Sequence, residues 1–256
     1  MRVSDYRLFV AFLAIGLPVS AQQEIARVEG GRFLPMYGSV KEQMVEIKTF
    51  EMDKKPVTNS EFLAFVKENP KWRKSKVPRL FADEAYLKNW QSDLSFSQAI
   101  ANAPVTNVSW FAAKAYCECQ GKRLPTTNEW EFAAMAGYKQ PDERKDSLYT
   151  ARILAAYETP KTYLKAVGQN QPNYWGIYDL NELVWEWTSD FASIMISGEN
   201  RDQDQRSLFC GAGSQNATDL MNYAAFMRYA FRNSIQAKFT ITNLGFRCVK
   251  SADPAM

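Results

Sequence analysis

The alternation of hydrophobic and polar residues predicts β-strands near both ends of the chain. From Val45 to Thr49, apolar or β-branched residues alternate with charged ones, a pattern that buries one face of an extended segment. A similar alternation near the C-terminus sets Leu244, Phe246 and Cys248 against Gly245, Arg247 and Val249. We therefore expect a strand with one buried face in each segment.

Three helices are predicted by side chains that can cap the first free amides of a helix. Thr58 precedes Glu61 by three residues, and Thr126 precedes Glu129 by three, which is the spacing of a capping box. Ser109 is the third predicted N-cap. Pro70 should end the first helix, and Gly137 should end the third. In the second helix, Trp110, Ala113 and Cys117 fall on one face, which we expect to point inward.

The third of these helices lies in the most distinctive string of the chain, RLPTTNEWEFAA. Its capping box accounts for Thr126 and Glu129, so we expect Trp130 to pack inward and Glu131 to face solvent. The polar segment 72–100 predicts surface loops, with or without a short helix, and the polar segment 138–171 predicts an irregular loop. Because no internal repeat or linker divides the chain, we expect a single α+β domain whose function is carried by loops.

The first 21 residues predict a secretory signal peptide. Arg2 and Arg7 form a positive region, residues 8–17 are apolar, and a small-residue cleavage site ends at Ala21. The apolar run is too short to span a bilayer, for which a helix needs about 20 residues. We expect a mature domain of residues 22–256, a periplasmic or secreted location, and no membrane attachment after cleavage.

Composition narrows the classes of function. The chain has a formal net charge of +3 and no histidine. The balanced charge argues against nucleic-acid binding, and the lack of imidazole excludes Ser-His-Asp and Cys-His catalysis. Four cysteines in an exported chain favour disulfides, but four cysteines allow three pairings that the sequence alone does not distinguish.

An acidic segment, 176–190, predicts either a cation site or a solvated loop. It places oxygen-bearing side chains around two tryptophans: Asp179, Asn181, Glu182, Glu186 and Asp190. Calcium takes six to eight oxygen ligands, including carbonyls, but the segment lacks the spacing of an EF-hand loop. The residues alone leave both interpretations open.

Six strings follow one another along the chain: PVTNSEFLAFV, PVTNVSWFAAKAYC, GKRLPTTNEWEFAA, GIYDLNELVWEW, GAGS with MRYAFR, and NLGFRC. In this order they resemble the formylglycine-generating enzyme, or sulfatase-modifying factor, family over nearly all of the predicted mature chain. The resemblance implies one compact, loop-rich α+β domain related to the C-type lectin fold. Founding members of that family oxidise a sulfatase cysteine to formylglycine with O₂ and copper held by two cysteines.

The resemblance also implies roles for individual residues. Cys117 and Cys248 match a disulfide pair of the family. The residues that match a family calcium site are Asp179 and Glu186, by side chain, and Glu182 and Val184, by backbone carbonyl. The chain departs from the family where Glu182 and Leu183 replace the usual Gly-Asn pair. Calcium is therefore the expected cofactor, at an altered site.

The copper site of the family has no counterpart in this sequence. The two family cysteines lie between a Gly-Ser turn and a strand that carries two arginines, which corresponds here to residues 215–227, a segment without cysteine. Because Cu(I) prefers soft sulfur donors, we expect neither copper binding nor formylglycine generation. The candidate residues of a retained substrate groove are Ser214, Asn216, Asp219, Tyr223 and Arg228.

The sequence allows more than one role for two of the cysteines and for three arginines. Cys119 and Cys210 either form a second disulfide, remain free thiols, or serve a redox or copper site. The three arginines either pair with carboxylates that stabilise the fold or contact an anion in the groove; they are Arg228, Arg232 and Arg247.

Three classes of function fit these observations. The first is an accessory or maturation factor that holds a periplasmic (metallo)enzyme or peptide in the groove. Segments 72–90 and 210–232 are similar to the family branch encoded beside copper nitrite reductases. The second is a periplasmic oxidoreductase acting on a peptide or small molecule, as in the siderophore-maturation relatives. The third is a lectin-like binder that uses calcium at Asp179 and Glu186. We favour the first.

Overall fold

The computed structural model describes residues 23–35, 44–191 and 220–252, with side chains from Ala224 onward in the last range. The predicted signal peptide lies outside the described residues. So do four residues to which the sequence analysis assigned roles: Cys210, Ser214, Asn216 and Asp219. The assignments made for them stay predictions.

Nine short strands are defined in the described part of the chain: β1 (Ile25–Val28), β2 (Gly31–Phe33), β3 (Val45–Ile47), β4 (Phe50–Asp53), β5 (Trp90–Ser92), β6 (Ser95–Phe96), β7 (Trp185–Glu186), β8 (Leu244–Gly245) and β9 (Val249–Ser251). The largest sheet has the order β1-β4-β9 and is antiparallel, with Ile25 opposite Asp53 and Met52 opposite Val249. The pairs β2-β3 and β5-β6 are antiparallel, whereas β7 and β8 are parallel.

Both predicted strands are interrupted. The segment that begins at Val45 splits into β3 and β4 because β3 pairs with β2, whereas β4 pairs with β1 and β9. Near the C-terminus, β8 and β9 flank residues 246–248, and every residue from Leu244 to Val249 is buried. The expectation of a single buried face is therefore wrong for this segment, since Arg247 is also buried and is held there by an ion pair.

The three predicted helices are present as α1 (Asn59–Glu68), α2 (Trp110–Cys119) and α3 (Thr127–Ala134). Both capping boxes are confirmed: the hydroxyls of Thr58 and Thr126 each accept from the amide three residues on, and the glutamate there accepts from the cap amide. Ser109 caps α2 as predicted. Helix α1 ends before Pro70, but α3 ends ahead of the predicted stop at Gly137.

Two further helices occupy segments where none was predicted. Helix α4 (Ser147–Glu158) lies in the segment expected to be a loop, and the carboxylate of Asp146 caps its first turn. Helix α5 (Leu220–Ser234) occupies the position where the resemblance implies a strand. The two helices meet through Tyr149, Ile153 and Ala224. No helix among the described residues is long and apolar enough to cross a membrane.

Two large hydrophobic clusters form the core of the described structure. The first joins α1, α2 and the C-terminal strands through residues that include Phe62, Tyr116, Trp187 and Phe246. The second packs α3 against the three-stranded sheet through residues that include Met52, Trp130, Phe132 and Ile177. Short helices packed on small sheets, with long connections between them, confirm the predicted α+β class.

A disulfide joins Cys117 of α2 to Cys248 next to β9, and both residues are fully buried. The pairing that the resemblance implies is therefore present in the structure. Cys119 is a free, exposed thiol. Because Cys210 lies outside the described residues, the possible second disulfide between Cys119 and Cys210 stays a prediction.

Removal of this disulfide should destabilise the protein strongly. A link across a sequence separation of 131 residues contributes about 4–5 kcal/mol in the chain-entropy description, so Cys117→Ser should lower the melting temperature by roughly 10 °C or more. Cys119→Ser is the matched control, because it changes a free thiol of the same helix. Equal melting temperatures for the two variants, or free thiols at 117 and 248 in non-reducing peptide mapping, would contradict the prediction.

Candidate functional site

A cleft of about 310 Å³ lies between the chain that follows α4, strand β7 and helix α5. We call it the Trp185 cleft; the lining residues used below are Trp130, Tyr157, Lys161, Glu182, Trp185, Glu186, Arg228 and Arg232. Its volume falls within the range of small-ligand sites, roughly 300–1,000 Å³. Of the predicted groove residues, Arg228 has a side chain that the structure describes, and it lines this cleft. The side chain of Tyr223 lies outside the described residues.

Two stacked aromatic rings, from α4 and β7, line the Trp185 cleft. The Tyr157 ring of α4 stacks on Trp185 of β7, with centroids 5.3 Å apart and planes inclined by 27°. Phe231 of α5 packs against Trp185 at 4.6 Å. Tyr157 was not predicted as a site residue, because the helix that carries it lies in a segment expected to be a loop. Flat, half-buried rings of this kind offer a surface on which an apolar or planar group can stack.

The wall on the α5 side depends on a carboxylate that binds two arginines. Arg228 donates to both oxygens of Glu131, with Nε to Oε1 at 2.9 Å and Nη2 to Oε2 at 2.7 Å. Arg232 donates from Nη1 to Oε1 at 2.6 Å. The two arginines are spaced one turn apart on α5 and so reach the same group. The expectation that Glu131 faces solvent is wrong, because its carboxylate binds these two arginines. They lie far away in the sequence, so the helix pattern around Glu131 could not predict the contact.

The charge state of Glu131 follows from these contacts. Burial opposes ionisation of the carboxyl group, but the positive charges and hydrogen bonds of Arg228 and Arg232 outweigh it and lower its pKa to about 2. Tyr157 also contributes to the cluster, because its hydroxyl accepts from Arg228 Nη1 at 3.0 Å. Glu131 is therefore ionised at neutral pH and holds α5 against α3.

Trp130 connects this cluster to a second, deeper ion pair. The guanidinium of Arg232 lies 4.8 Å and that of Arg228 5.5 Å from the centre of the Trp130 ring, within cation–π range. The indole Nε1 donates to Glu186 Oε2 at 2.8 Å. Trp130 is buried, as predicted. Its ring face contacts the arginines of α5, and its indole N–H binds Glu186 of β7, so it links the two elements.

The deeper ion pair joins Glu186 and Arg247, and its side chains are inaccessible to solvent. Arg247 Nε donates to both oxygens of Glu186, at 3.0 and 2.8 Å, and Nη2 donates to Oε1 at 2.8 Å. Together with the Trp130 indole, these donors use the roughly four lone-pair positions of the carboxylate. All three predicted arginine–carboxylate pairs are therefore present, at Arg228, Arg232 and Arg247.

The same contacts bear on the predicted calcium site. Glu186 does not fit the role of a calcium ligand, because its oxygens already accept hydrogen bonds from Arg247 and Trp130. The guanidinium of Arg247 neutralises the charge that a calcium ion would otherwise balance. The carboxylate of Glu182 is also engaged, by Arg152 at 3.2 Å and Asn170 at 2.6 Å. The described residues contain no cluster of three or more metal-binding side chains.

Asp179 keeps one feature of a cation ligand. It has a left-handed backbone, with φ of 64°, and its Oδ2 accepts from the Gly168 amide at 2.6 Å. Its Oδ1 is buried and has no hydrogen-bond partner among the described residues. Burial raises the pKa of this carboxyl group, against the Gly168 hydrogen bond that lowers it. Calcium binding by Asp179 with the carbonyls of Glu182 and Val184 stays a prediction from the resemblance.

The chain matches a protein-family profile, "Sulfatase-modifying factor enzyme 1-like domain", over residues 16–252. The chain belongs to this family. Among curated members of the sulfatase-modifying factor family, "Inactive C-alpha-formylglycine-generating enzyme 2" from Bos taurus is 30% identical over 84% of this chain and 81% of its own length. The "Formylglycine-generating enzyme" of Streptomyces coelicolor is 29% identical over 89% of each chain.

Solved structures agree with this assignment at the level of the fold. The crystal structure of CarF superposes with a TM-score of 0.51 at 18% identity, covering 91% of this chain and 99% of CarF. PvdO from Pseudomonas aeruginosa gives 0.53 at 19% identity, covering 90% and 94%. The predicted family and fold class are thereby confirmed.

The ion pairs of Glu131 should make stability depend on pH. Since its folded pKa of about 2 lies below the ordinary value of 4.5, the stabilisation is present above about pH 5 and is lost as pH falls towards 2. Glu131→Gln should therefore lower the free energy of unfolding by roughly 3 kcal/mol at pH 7, with the difference from wild type shrinking at pH 3. Urea titrations across this range measure it.

Glu118→Gln is the control for this measurement, because Glu118 forms an exposed i,i+4 pair with Lys114 on the surface of α2. Such pairs contribute about 0.3–0.5 kcal/mol, so we expect a small effect on the free energy of unfolding. A Glu131→Gln defect of equal size at pH 7 and pH 3 would contradict the assigned pKa.

Proposed function

We propose that this protein is a sulfatase-modifying factor homologue that does not generate formylglycine. In this proposal it is an exported accessory or maturation factor that holds a segment of a periplasmic metalloenzyme in the Trp185 cleft. The observation that carries the proposal is the absence of cysteine from residues 215–227, the segment that matches the copper-binding segment of formylglycine generators. Without two soft sulfur donors, Cu(I) has no ligands of the kind it prefers.

The remaining thiol in the described structure does not offer a replacement. Cys119 is exposed at the C-terminal end of α2, where its sulfur lies 4.0 Å from the Asn69 side chain. It is not part of the lining of the Trp185 cleft. Cys117 and Cys248 are joined to each other. A catalytic thiol pair at the cleft would therefore need a large rearrangement of α2.

The relatives support a binding role without formylglycine chemistry. A relative with the printed name "Inactive C-alpha-formylglycine-generating enzyme 2" matches 84% of this chain, which shows that the domain occurs without that activity. The Trp185 cleft has walls that are fixed by ion pairs, and its aromatic rings are partly exposed. A cleft of this kind in a chain without the copper-binding cysteines favours a protein that binds without turnover.

The identity of the partner is a finer part of the proposal. Residues 1–21 have the pattern of an export signal, so the partner would be met outside the cytoplasm. The resemblance of segments 72–90 and 210–232 to the family branch encoded beside copper nitrite reductases is an expectation from the sequence. On that ground we propose a copper-containing nitrite reductase as the first partner to test.

The formylglycine reaction is the direct test of the negative part of this proposal. A sulfatase-type cysteine peptide incubated with the purified protein, Cu(I) and O₂ should keep its thiol, because no cysteine pair is available to bind the metal. Mass spectrometry with aldehyde trapping measures the product, and an active formylglycine generator serves as the positive control. Copper-dependent aldehyde formation would overturn the proposal and would require Cys119 and Cys210 to act as the metal-binding pair.

A further inference from the structure

We propose that the Trp185 cleft selects a ligand that carries a carboxylate, bound by Arg232 and Lys161, with an apolar or aromatic neighbour against Trp185 and Tyr157. The inference rests on the proposed function, because it specifies which segment of a partner polypeptide the cleft would hold. The carboxylate would be either a free C-terminus or the side chain of an aspartate or glutamate.

Arg232 is the first residue that supports this inference. Its guanidinium has five N–H donors, and within the described structure only Nη1 donates, to Glu131. The neighbouring Arg228, by comparison, uses Nε, Nη1 and Nη2. Arg232 is 6% exposed and lines the cleft. A largely buried guanidinium with unused donors favours an oxygen-rich anion as its partner.

Lys161 supplies a second positive charge at the cleft. It has a left-handed backbone, with φ of 55°, and it directly precedes the short 3₁₀ turn Thr162–Leu164. No carboxylate lies within ion-pair distance of it in the described part of the chain. A side chain with this placement can pair with a ligand at the mouth of the cleft without breaking an existing contact.

The carboxylates of the lining do not cancel these charges. Glu182 is paired with Arg152, and Glu186 is paired with Arg247. The charged residues that line the cleft or pair with its lining are the cations Arg152, Lys161, Arg228, Arg232 and Arg247 and the carboxylates Glu131, Glu182 and Glu186. Five cations against three carboxylates leave an excess positive charge, which attracts an anion.

The shape of the site favours a carboxylate over a larger anion. A planar guanidinium matches the two oxygens of a carboxylate, and the Arg232 guanidinium lies over the Trp130 ring, 4.8 Å from its centre. The stacked rings of Tyr157 and Trp185 line the same cleft and would accept a flat or apolar side chain next to the charge. A volume of about 310 Å³ accommodates two or three residues of a peptide.

Paired peptides that differ only in one charge test the inference. The first pair is acetyl-Ala-Phe-Ala with a free or an amidated C-terminus; the second is acetyl-Ala-Asp-Phe-Ala amide and its Asn counterpart. Ligand-observed NMR titration with the full mature protein measures the dissociation constants, and inorganic phosphate is a further probe. We expect the charged member of at least one pair to bind roughly tenfold or more tightly, and the pair that responds identifies the source of the carboxylate.

Variants locate the interaction. Arg232→Gln should abolish the preference for the charged peptide, and Lys161→Gln should reduce it about two- to fivefold, as for an exposed ion pair. Lys165→Gln is the matched control, since Lys165 follows the same 3₁₀ turn but is not part of the cleft lining. Thermal melting checks that each variant folds. If Arg232→Gln does not fold, the charge preference of Lys161→Gln is compared with that of Lys165→Gln, and a lower preference in Lys161→Gln supports the inference.

Three outcomes would overturn the inference: no charge preference in either pair, including no binding; a preference that survives both cleft variants; or tighter binding of inorganic phosphate than of any carboxylate peptide. Failure here is distinct from failure of the proposed function. Equal binding of charged and neutral peptides would leave a binding cleft without this selectivity, whereas formylglycine formation would remove the proposed function and leave the charge preference to be judged separately.

Discussion

The ion pair between Glu186 and Arg247 is the constraint on which the candidate site depends. Two charges taken fully out of water cost several kcal/mol each unless every donor and acceptor is satisfied. Arg247 meets this condition by binding Glu186 and the carbonyl oxygens of Asp53, Lys54 and Tyr178. One side chain thereby fixes the end of β4, the loop before β7, and the C-terminal segment relative to each other.

The cleft follows from that arrangement. Trp185 and Glu186 of β7 both line the cleft, and Tyr157 stacks on the Trp185 ring. Trp130 then joins the Glu186 pair to Arg228 and Arg232 and so positions α5. A surface made largely of loops acquires a defined shape because buried charges hold its walls. None of these contacts involves a cysteine.

Local signals in the sequence predicted local structure well. The capping boxes at Thr58 and Thr126, the cap at Ser109 and the family resemblance identified three helices, the fold class and the Cys117–Cys248 pair. The failures are long-range. Glu131 was expected in solvent, but its partners lie about 100 positions away, with separations of 97 and 101 residues. Likewise, Glu186 looked like a calcium ligand because the sequence does not show that Arg247, 61 residues away, occupies its oxygens.

The central claim is that the Trp185 cleft holds a partner without changing it chemically. Calorimetric titration with a purified copper nitrite reductase, followed by mass analysis of both proteins, tests this most directly. The account predicts binding that Trp185→Ala weakens at least roughly tenfold, as expected for a buried aromatic anchor, and that Tyr174→Ala leaves unchanged, since Tyr174 is 50% exposed and outside the cleft. The mass of the partner should not change. Absence of binding, binding that is insensitive to Trp185→Ala, or covalent modification of the partner would contradict the account.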